Sequence, residues 1–134
     1  MKYYKRDGRR FVQIEDLYGM YANRDGSFST VRLPDSYGVV VIHNFKEIVI
    51  AHLEVIPDVA CYIAVEQYNL PTRLQLLAAY NLKHMFESSV KCFWTKDEAY
   101  KDYYNWYLNW CDGYIDYGPK VSSQYVREFT TIKL

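Results

Sequence analysis

Residues 94–110, WTKDEAYKDYYNWYLNW, are the stretch on which the fold prediction mainly depends. They contain all three tryptophans of the chain. On a helical wheel, the aromatic residues from Tyr100 to Trp110 fall on one arc of roughly 160°, and the polar residues take the other side. Thr95 and Glu98 have the spacing of a helix capping box. The stretch therefore predicts an amphipathic helix over residues 95–111, ended by Asp112-Gly113.

The aromatic face of this helix is expected to form either core or contact surface, because each aromatic side chain buries roughly 150 to 250 Å². A stripe at helical spacing normally faces inward. The members predicted to be core are Tyr103, Trp106, Tyr107 and Trp110. Fifteen tyrosines and six phenylalanines exceed what one small core holds. The tyrosines from which exposed members are expected are Tyr3, Tyr4, Tyr18, Tyr21, Tyr114, Tyr117 and Tyr125.

Two Asp-Gly pairs predict N-terminal hairpins, because Asp-Gly supplies the positive φ angles of tight turns. The first hairpin pairs residues 3–6 with 9–14, and the second pairs residues 18–23 with 27–33. The apolar run from Val39 to Ile42 predicts a buried central strand over residues 38–43.

Residues 44–65 fit two alternatives. Asn44 and Glu47 have capping-box spacing, which favours a helix over 45–56, whereas the β-branched run at 48–50 favours a strand. We expect the helix. The alternation of apolar residues from Val59 to Val65 then predicts a strand.

The remaining elements complete a mixed fold. Pro71 suits the first helical position, and the wide apolar sector of residues 72–88 predicts a largely buried helix. Gly118-Pro119 predicts a turn, and residues 124–134 predict a closing strand that returns to the sheet. The expected fold class is α+β, with N-terminal antiparallel β-hairpins and a central strand, followed by two or three helices and a C-terminal strand. One domain over residues 1–134 is expected.

Composition favours a soluble protein. Of the 134 residues, 24% are charged, the net charge is zero, and no long uncharged run could span a bilayer. No signal peptide is expected at the N-terminus. Three cysteines without paired spacing, Cys61, Cys92 and Cys111, suit a reducing compartment. We expect a cytoplasmic protein that does not bind membranes.

No catalytic motif is present in the sequence. The glycines are scattered one at a time, so no phosphate-binding loop is expected. Cysteines and histidines lack the short spacings of zinc ligands, and neither a metal nor a cofactor is expected. His52 is expected to be a hydrogen-bonded core residue, and the cysteines are expected to be inert packing residues. The chain is predicted not to be an enzyme, with a dispersed catalytic site as an alternative.

The N-terminus carries a basic pole. Residues 1–10 hold five Lys or Arg residues and one Asp, a local charge of 5 − 1 = +4. In a two-residue hairpin, Arg6 would face Arg9, Lys5 would face Arg10 and Tyr4 would face Phe11, so like charges would oppose one another. A sequence that tolerates this repulsion is a candidate for binding an anionic group.

The leading functional prediction is a non-enzymatic accessory or inhibitor protein that binds another protein, with an acidic surface, through aromatic and arginine side chains. The size and composition are compatible with a protein encoded by a bacterial virus and directed at a host component. The alternative is binding of nucleic acid or a nucleotide, with arginines on phosphates and a tyrosine stacked on a base. The candidate binding residues are Tyr4, Arg6, Arg9, Arg10, Tyr114 and Tyr117.

Overall fold

The computed structural model describes residues 3–7, 10–14, 16–87, 91–100 and 102–134. Within these ranges the chain forms two β-sheets, named here the first and the second sheet, and two α-helices. The predicted mixed α+β class is therefore confirmed, although strands are more numerous than expected and only one of the two helices lies where a helix was predicted. None of the described helices combines the length and the apolar composition needed to cross a membrane.

The first sheet is mainly antiparallel. From one edge to the other it contains β12 (Phe129–Lys133), β6 (Glu47–His52), β5 (Ser36–His43), β3 (Tyr21–Asn23), β4 (Phe28–Ser29), β1 (Tyr3–Asp7) and β2 (Arg10–Ile14). β12 runs antiparallel to β6, with Phe129 opposite Ala51 and Lys133 opposite Glu47. The predicted return of the C-terminal strand to the sheet is confirmed for residues 129–133, whereas the first residues of the strand predicted over 124–134 belong to a separate strand of the second sheet, residues 123–126.

The second sheet comes from the later part of the chain. Its strand order is β10 (Ile115–Pro119), β9 (Tyr104–Asn109), β8 (Cys92–Ala99), β11 (Ser123–Val126) and β7 (Ile56–Ala60). Helix α1 (Cys61–Gln67) follows β7 directly, and helix α2 (Arg73–Asn81) follows α1 and precedes a 3-10 turn at Lys83–Met85.

Helix α2 packs against both sheets. Its buried residues Leu76 and Ala79 share one apolar cluster with Val39 and Val49 of the first sheet and with Leu108 of the second. A second cluster lies on the other face of the first sheet, and a third joins α1 to the other face of the second sheet. The reciprocal hydrogen bonds between Thr72 and Gln75 form the capping box that begins α2. The predicted helix over 72–88 is confirmed in its position but is shorter.

The predicted helix over 45–56 is wrong, because residues 47–52 form β6. Asn44 Oδ1 does accept hydrogen bonds from the backbone N–H groups of Lys46 and Glu47, at 2.9 and 3.0 Å. These bonds close the turn between β5 and β6 instead of capping a helix. An Asx turn and a helix N-cap use the same bonds, so the spacing alone does not distinguish them. The β-branched run at 48–50 is fully buried in the sheet.

The predicted aromatic helix over 95–111 is also wrong, because β8 and β9 form a hairpin there. Thr95 Oγ1 accepts a hydrogen bond from the Asp97 N–H at 3.1 Å within a β-bulge. The same residues that recur at helical spacing also alternate from Tyr104 to Leu108, and aromatic residues favour strands. β9 pairs with β8 on one side and with β10 on the other, and this pairing selects the strand period over the helical period.

Three smaller expectations also need correction. The strand predicted over 59–65 is mostly α1, which buries Cys61 and Ala64 at helical spacing. Gly118-Pro119 ends β10 and precedes the next turn. Both N-terminal hairpins are confirmed, but the first has a different register, in which Arg6 faces Phe11 and Asp7 faces Arg10. The predicted pairing of like charges is therefore wrong.

Candidate functional site

The candidate site is an exposed group of aromatic side chains on one face of the second sheet. We name its members the aromatic surface: Tyr100, Tyr104, Trp106 and Tyr117, with Arg73 beside them. Tyr100 is 66% exposed, and Tyr104 and Tyr117 are each 39% exposed. Trp106 is partly buried. Tryptophan, tyrosine and arginine are enriched at protein contact sites, because they combine apolar area with hydrogen bonding.

Strand alternation places this surface on the same face as the core. Side chains two residues apart along a strand share a face, so Tyr104, Trp106 and Leu108 of β9 point to the same side. Leu108 is buried beneath α2. Trp106 lies at the level of Arg73, the first residue of α2, and Tyr104 lies one further step along the strand. The aromatic surface is therefore the part of the core-facing sheet that α2 is too short to cover.

Arg73 lies over the Trp106 ring, with its guanidinium carbon 4.8 Å from the ring centre. Asp97 holds it there, because one carboxylate oxygen accepts from the Arg73 backbone N–H at 2.7 Å and lies 3.3 Å from Arg73 Nε. Asp97 comes from the β8 bulge and also places a negative charge at the N-terminus of α2, where the helix dipole favours it. The bulge thus joins the sheet to the helix and fixes Arg73 on the indole.

The tyrosines contact one another edge to face. Ring centres are 4.8 Å apart for Tyr100 and Tyr117, 5.9 Å for Tyr104 and Tyr117, and 6.3 Å for Tyr100 and Tyr104. The Trp106 ring centre is 5.4 Å from that of Tyr117. A hydrogen bond with Tyr100 raises the pKa of the Tyr117 hydroxyl, with a smaller contribution from the Asp116 carboxylate. The rings therefore form one connected cluster that joins the indole to the tyrosines.

Tyr100 has a left-handed backbone conformation, with φ of 49°. This conformation is uncommon for residues other than glycine, and it costs about 1–3 kcal/mol unless the surrounding structure compensates. The conformation occurs where the chain turns out of β8, and the Tyr100 ring reaches the Tyr117 ring. Strain of this kind is concentrated at functional sites, so it adds to the case for this surface.

The free edge of β10 is blocked to an additional strand at residues 117 and 119. Asn109 N donates to Tyr114 O and Lys120 N donates to Tyr103 O, so the backbone groups of 115, 117 and 119 point away from β9. Asp116 Oδ1 accepts the Tyr117 N–H at 2.8 Å, and Pro119 has no N–H. Such features prevent edge-to-edge pairing. A partner is therefore expected on the face of the sheet.

Of the predicted binding residues, the structure places Tyr117 in the aromatic surface and Tyr114 outside it. Tyr114 is 68% exposed, but it lies in the turn between β9 and β10 and alternates to the opposite face from Tyr117. Sequence reasoning missed Arg73, Tyr100, Tyr104 and Trp106 as a group. The alternation of Tyr104 and Trp106 in β9 would have found these two residues, but the helical interpretation concealed it. No local signal marks Arg73 or Tyr100 as their neighbours.

The other predicted binding residues lie near the N-terminus, in the first sheet where they are described. Tyr4 is exposed on β1, and Arg10 pairs through its backbone with Asp7. Arg9 lies outside the described residues. Arg6 donates hydrogen bonds to Asp25, at 2.7 Å, and to Asp35. Its charge is thus compensated within the chain.

Histidines and cysteines have structural environments. The His52 ring nitrogen Nε2 lies 2.7 Å from Thr130 Oγ1 and its pKa is lowered by burial. The predicted hydrogen bond is confirmed, but the side chain is only partly buried and is not in the core. Burial also raises the pKa of Cys61 to about 11. Among the residues that the structure describes, no group of three or more His, Cys, Asp or Glu residues could hold a metal ion.

Two cavities elsewhere in the structure lack a comparable arrangement of side chains in contact with one another. One of about 500 Å³ is lined by Tyr3, His43, Asn44, Phe45 and Leu134, and Phe45 there is 86% exposed at the turn between β5 and β6. Another of about 370 Å³ has both signs of charge in its lining, including Arg24, Arg32, Glu54 and Glu87. Neither brings together groups whose contacts define a reaction.

The fold and the site together define an α+β protein with an uncovered aromatic sheet face. Comparison of the sequence with models of known protein families gives no match, and comparison with curated proteins gives none either. The functional argument therefore depends on the geometry of this surface.

Proposed function

We propose that this chain is a non-enzymatic binding protein that engages another protein through the aromatic surface. The supporting observation is the connected cluster from Arg73 over Trp106 to Tyr117 and the two other tyrosines, which lies beyond the N-terminus of α2. Aromatic rings stabilise a fold more when they are buried than when they are exposed, so stability alone does not account for rings on the surface. Their exposure in one contiguous group is typical of a contact surface.

The contacts within the surface also favour binding energetically. Arg73 and the rings are held in place by Asp97 and by one another, so they lose little conformational freedom when a partner binds. Pre-positioned tryptophan, tyrosine and arginine are the residues that most often contribute the largest share of binding energy. The blocked edge of β10 supports a partner that lies on the face.

The structure weakens the argument for the alternative, nucleic-acid binding through the N-terminal hairpin. A phosphate on Arg6 would have to compete with Asp25 and Asp35, which already accept its hydrogen bonds. The same ion pairs weaken the argument for an acidic partner at this end of the chain. The roles of inhibitor or of viral accessory protein rest on size and composition alone and remain predictions.

The test is capture of a partner with the wild-type chain, followed by measurement of its affinity for two pairs of variants. The first pair is Tyr100→Ser and Tyr104→Ser, within the aromatic surface. The matched control pair is Tyr18→Ser and Tyr62→Ser, whose rings are 52% and 53% exposed outside it. Circular dichroism checks that all variants fold.

We expect at least one variant of the first pair to weaken binding by about 2 kcal/mol or more, about 30-fold in Kd. The control variants should bind like the wild type. If both variants of the first pair keep the affinity and a control variant loses it, the interface lies elsewhere and the proposal is wrong.

A further inference from the structure

We propose that the Tyr100–Tyr104–Tyr117 cluster receives an arginine side chain of the protein partner. This inference rests on the proposed function, because it specifies which chemistry the aromatic surface recognises. The face of an aromatic ring carries a partial negative charge, and a guanidinium placed over it is attracted electrostatically. Three ring centres within 6.3 Å of one another concentrate this potential at one place.

The chain itself contains the contact that we infer for the partner. Arg73 lies on Trp106, the neighbouring ring of the same face, with 4.8 Å between guanidinium carbon and ring centre. Among the described residues, no Lys or Arg lies over the rings of Tyr100, Tyr104 or Tyr117. The same face therefore has one aromatic ring, Trp106, that Arg73 covers, and beside it the tyrosine cluster, which no described Lys or Arg covers.

Charge around the tyrosines complements a cation. Asp116, adjacent to Tyr117, uses one oxygen on the Tyr117 N–H and forms no ion pair among the described residues. Asp102, in the turn after Tyr100, is exposed and likewise has no described ion-pair partner. The nearby Asp97 is already paired with Arg73. Asp102 thus belongs to the turn next to the cluster, and Asp116 lies at the outer edge of β10, where its side chain alternates to the opposite face from Tyr117 but its charge still raises the pKa of the Tyr117 hydroxyl. Lys101, between Tyr100 and Asp102, lies outside the described residues.

These carboxylates favour arginine over the other side chains that stack on tyrosine. A phosphate or an acidic peptide would meet like charges at Asp102 and Asp116. A neutral aromatic residue would leave those charges unused. A guanidinium stacks with its plane on a ring and still directs its N–H groups outward to a carboxylate, which a lysine ammonium does less well.

The test uses a small probe and its neutral analogue, N-acetyl-arginine amide and N-acetyl-citrulline amide, which have nearly the same shape. Binding to the full chain is followed by NMR titration of the tyrosine ring signals. We expect arginine to bind in the millimolar range and about 2- to 30-fold more tightly than citrulline. Equal binding of the two probes, or no binding of either, would overturn the inference.

Substitutions at Tyr104 distinguish a cation site from an ordinary apolar patch. Tyr104→Phe keeps the ring face, so arginine binding should persist, whereas Tyr104→Leu keeps apolar area but removes the ring and should weaken it. Asp116→Asn should also weaken it, and Lys101→Ala should leave it equal or stronger. Retained binding in the leucine variant would contradict the inference.

The two proposals fail in different ways. If the serine variants lose the captured partner while arginine and citrulline bind alike, the aromatic surface is an interface but not a cation site. If arginine binds the cluster and the partner ignores the serine variants, the chemistry of the cluster is as inferred but the proposed function is wrong.

Discussion

The guanidinium of Arg127 lies 5.0 Å from the centre of the Trp110 ring, with Phe86 and Phe93 at 4.5 and 5.1 Å. Arg127 is 1% exposed. Its Nη1 donates to the carbonyl oxygens of His52 and Leu53, at 2.6 and 3.2 Å. Burial lowers the pKa of Arg127 to about 10, so it is still protonated at neutral pH. Aromatic faces and two carbonyls stabilise this buried cation, and no described carboxylate forms an ion pair with it.

Replacement of Arg127 tests how much this arrangement contributes. Arg127→Met keeps most of the volume but leaves two carbonyls without their donor, so we expect a loss of about 1–3 kcal/mol in the free energy of unfolding. Arg127→Ala should cost more because it also leaves a cavity, and such truncations cost about 2–5 kcal/mol. Urea denaturation measures both. A methionine variant as stable as the wild type would mean that only apolar bulk is needed at this position.

His52 is expected to make stability depend on pH. Burial lowers its pKa in the folded chain, whereas the unfolded chain protonates near the ordinary value of about 6.5. As the pH falls through that value, the unfolded state binds the proton first, so the free energy of unfolding decreases until the folded pKa is passed. Denaturation is measured at about pH 7.5 and about pH 5, on either side of the ordinary histidine pKa and roughly one unit from it. The free energy of unfolding should fall more between these two pH values for the wild type than for His52→Gln.

The matched control is His84→Gln, because His84 is exposed in the 3-10 turn. This variant should show the same pH dependence as the wild type. If His52→Gln also shows the wild-type pH dependence, the loss of stability in acid has another origin.

The thiols should differ sharply in reactivity. Cys111 is exposed, whereas Cys61 is fully buried and burial raises its pKa to about 11. The thiolate is the reactive form of cysteine. At pH 8, roughly three units below its pKa, Cys61 should therefore not react with a disulfide reagent until the chain unfolds. Cys111 should react rapidly in the folded chain, and Cys111→Ser should remove that fast phase. Because Cys92 is partly buried, a fast phase that persists when both Cys92→Ser and Cys111→Ser are present would contradict the described burial of Cys61.

The sequence predicts correctly those parts of the fold that are specified by residues close together in the chain. The turn at Asp25-Gly26, the apolar run in β5 and the position of α2 follow from residues close in sequence, and these predictions are confirmed. The capping-box spacings at Asn44 and Thr95 reflect real hydrogen bonds, but they close a turn and a bulge. Only the pairing of distant strands distinguishes these structures from helices, and a local pattern contains no information about that pairing.

The candidate site shows the same limit. High tyrosine content predicted an exposed aromatic surface, and the exposure of Tyr117 agrees with it. Arg73 belongs to the site only because Asp97, distant in sequence, fixes it on Trp106. The length of α2 relative to β9 decides which rings stay exposed, and no single segment of the sequence specifies that relationship.

Arg6 is expected to stabilise the fold, because it joins Asp25 and Asp35 through hydrogen bonds. Arg6→Glu would place three carboxylates together, so it should destabilise the fold, and more so at low salt. In a background with Asp25→Asn and Asp35→Asn, the same reversal should cost much less. Equal effects in both backgrounds would show that the ion pairs contribute nothing to stability.

The left-handed conformation of Tyr100 can be tested separately from its ring. Tyr100→Ala and Tyr100→Gly both remove the ring, but only glycine adopts a φ of 49° without steric cost. Tyr100→Gly should therefore be more stable than Tyr100→Ala by about 1 kcal/mol, and both should lose the partner equally. At Tyr104, inside β9, the order should reverse, because glycine in a strand is less stable than alanine by about 0.5–1 kcal/mol. If alanine is the more stable residue at both positions, the backbone at Tyr100 is not strained, and the strain argument for this surface is lost.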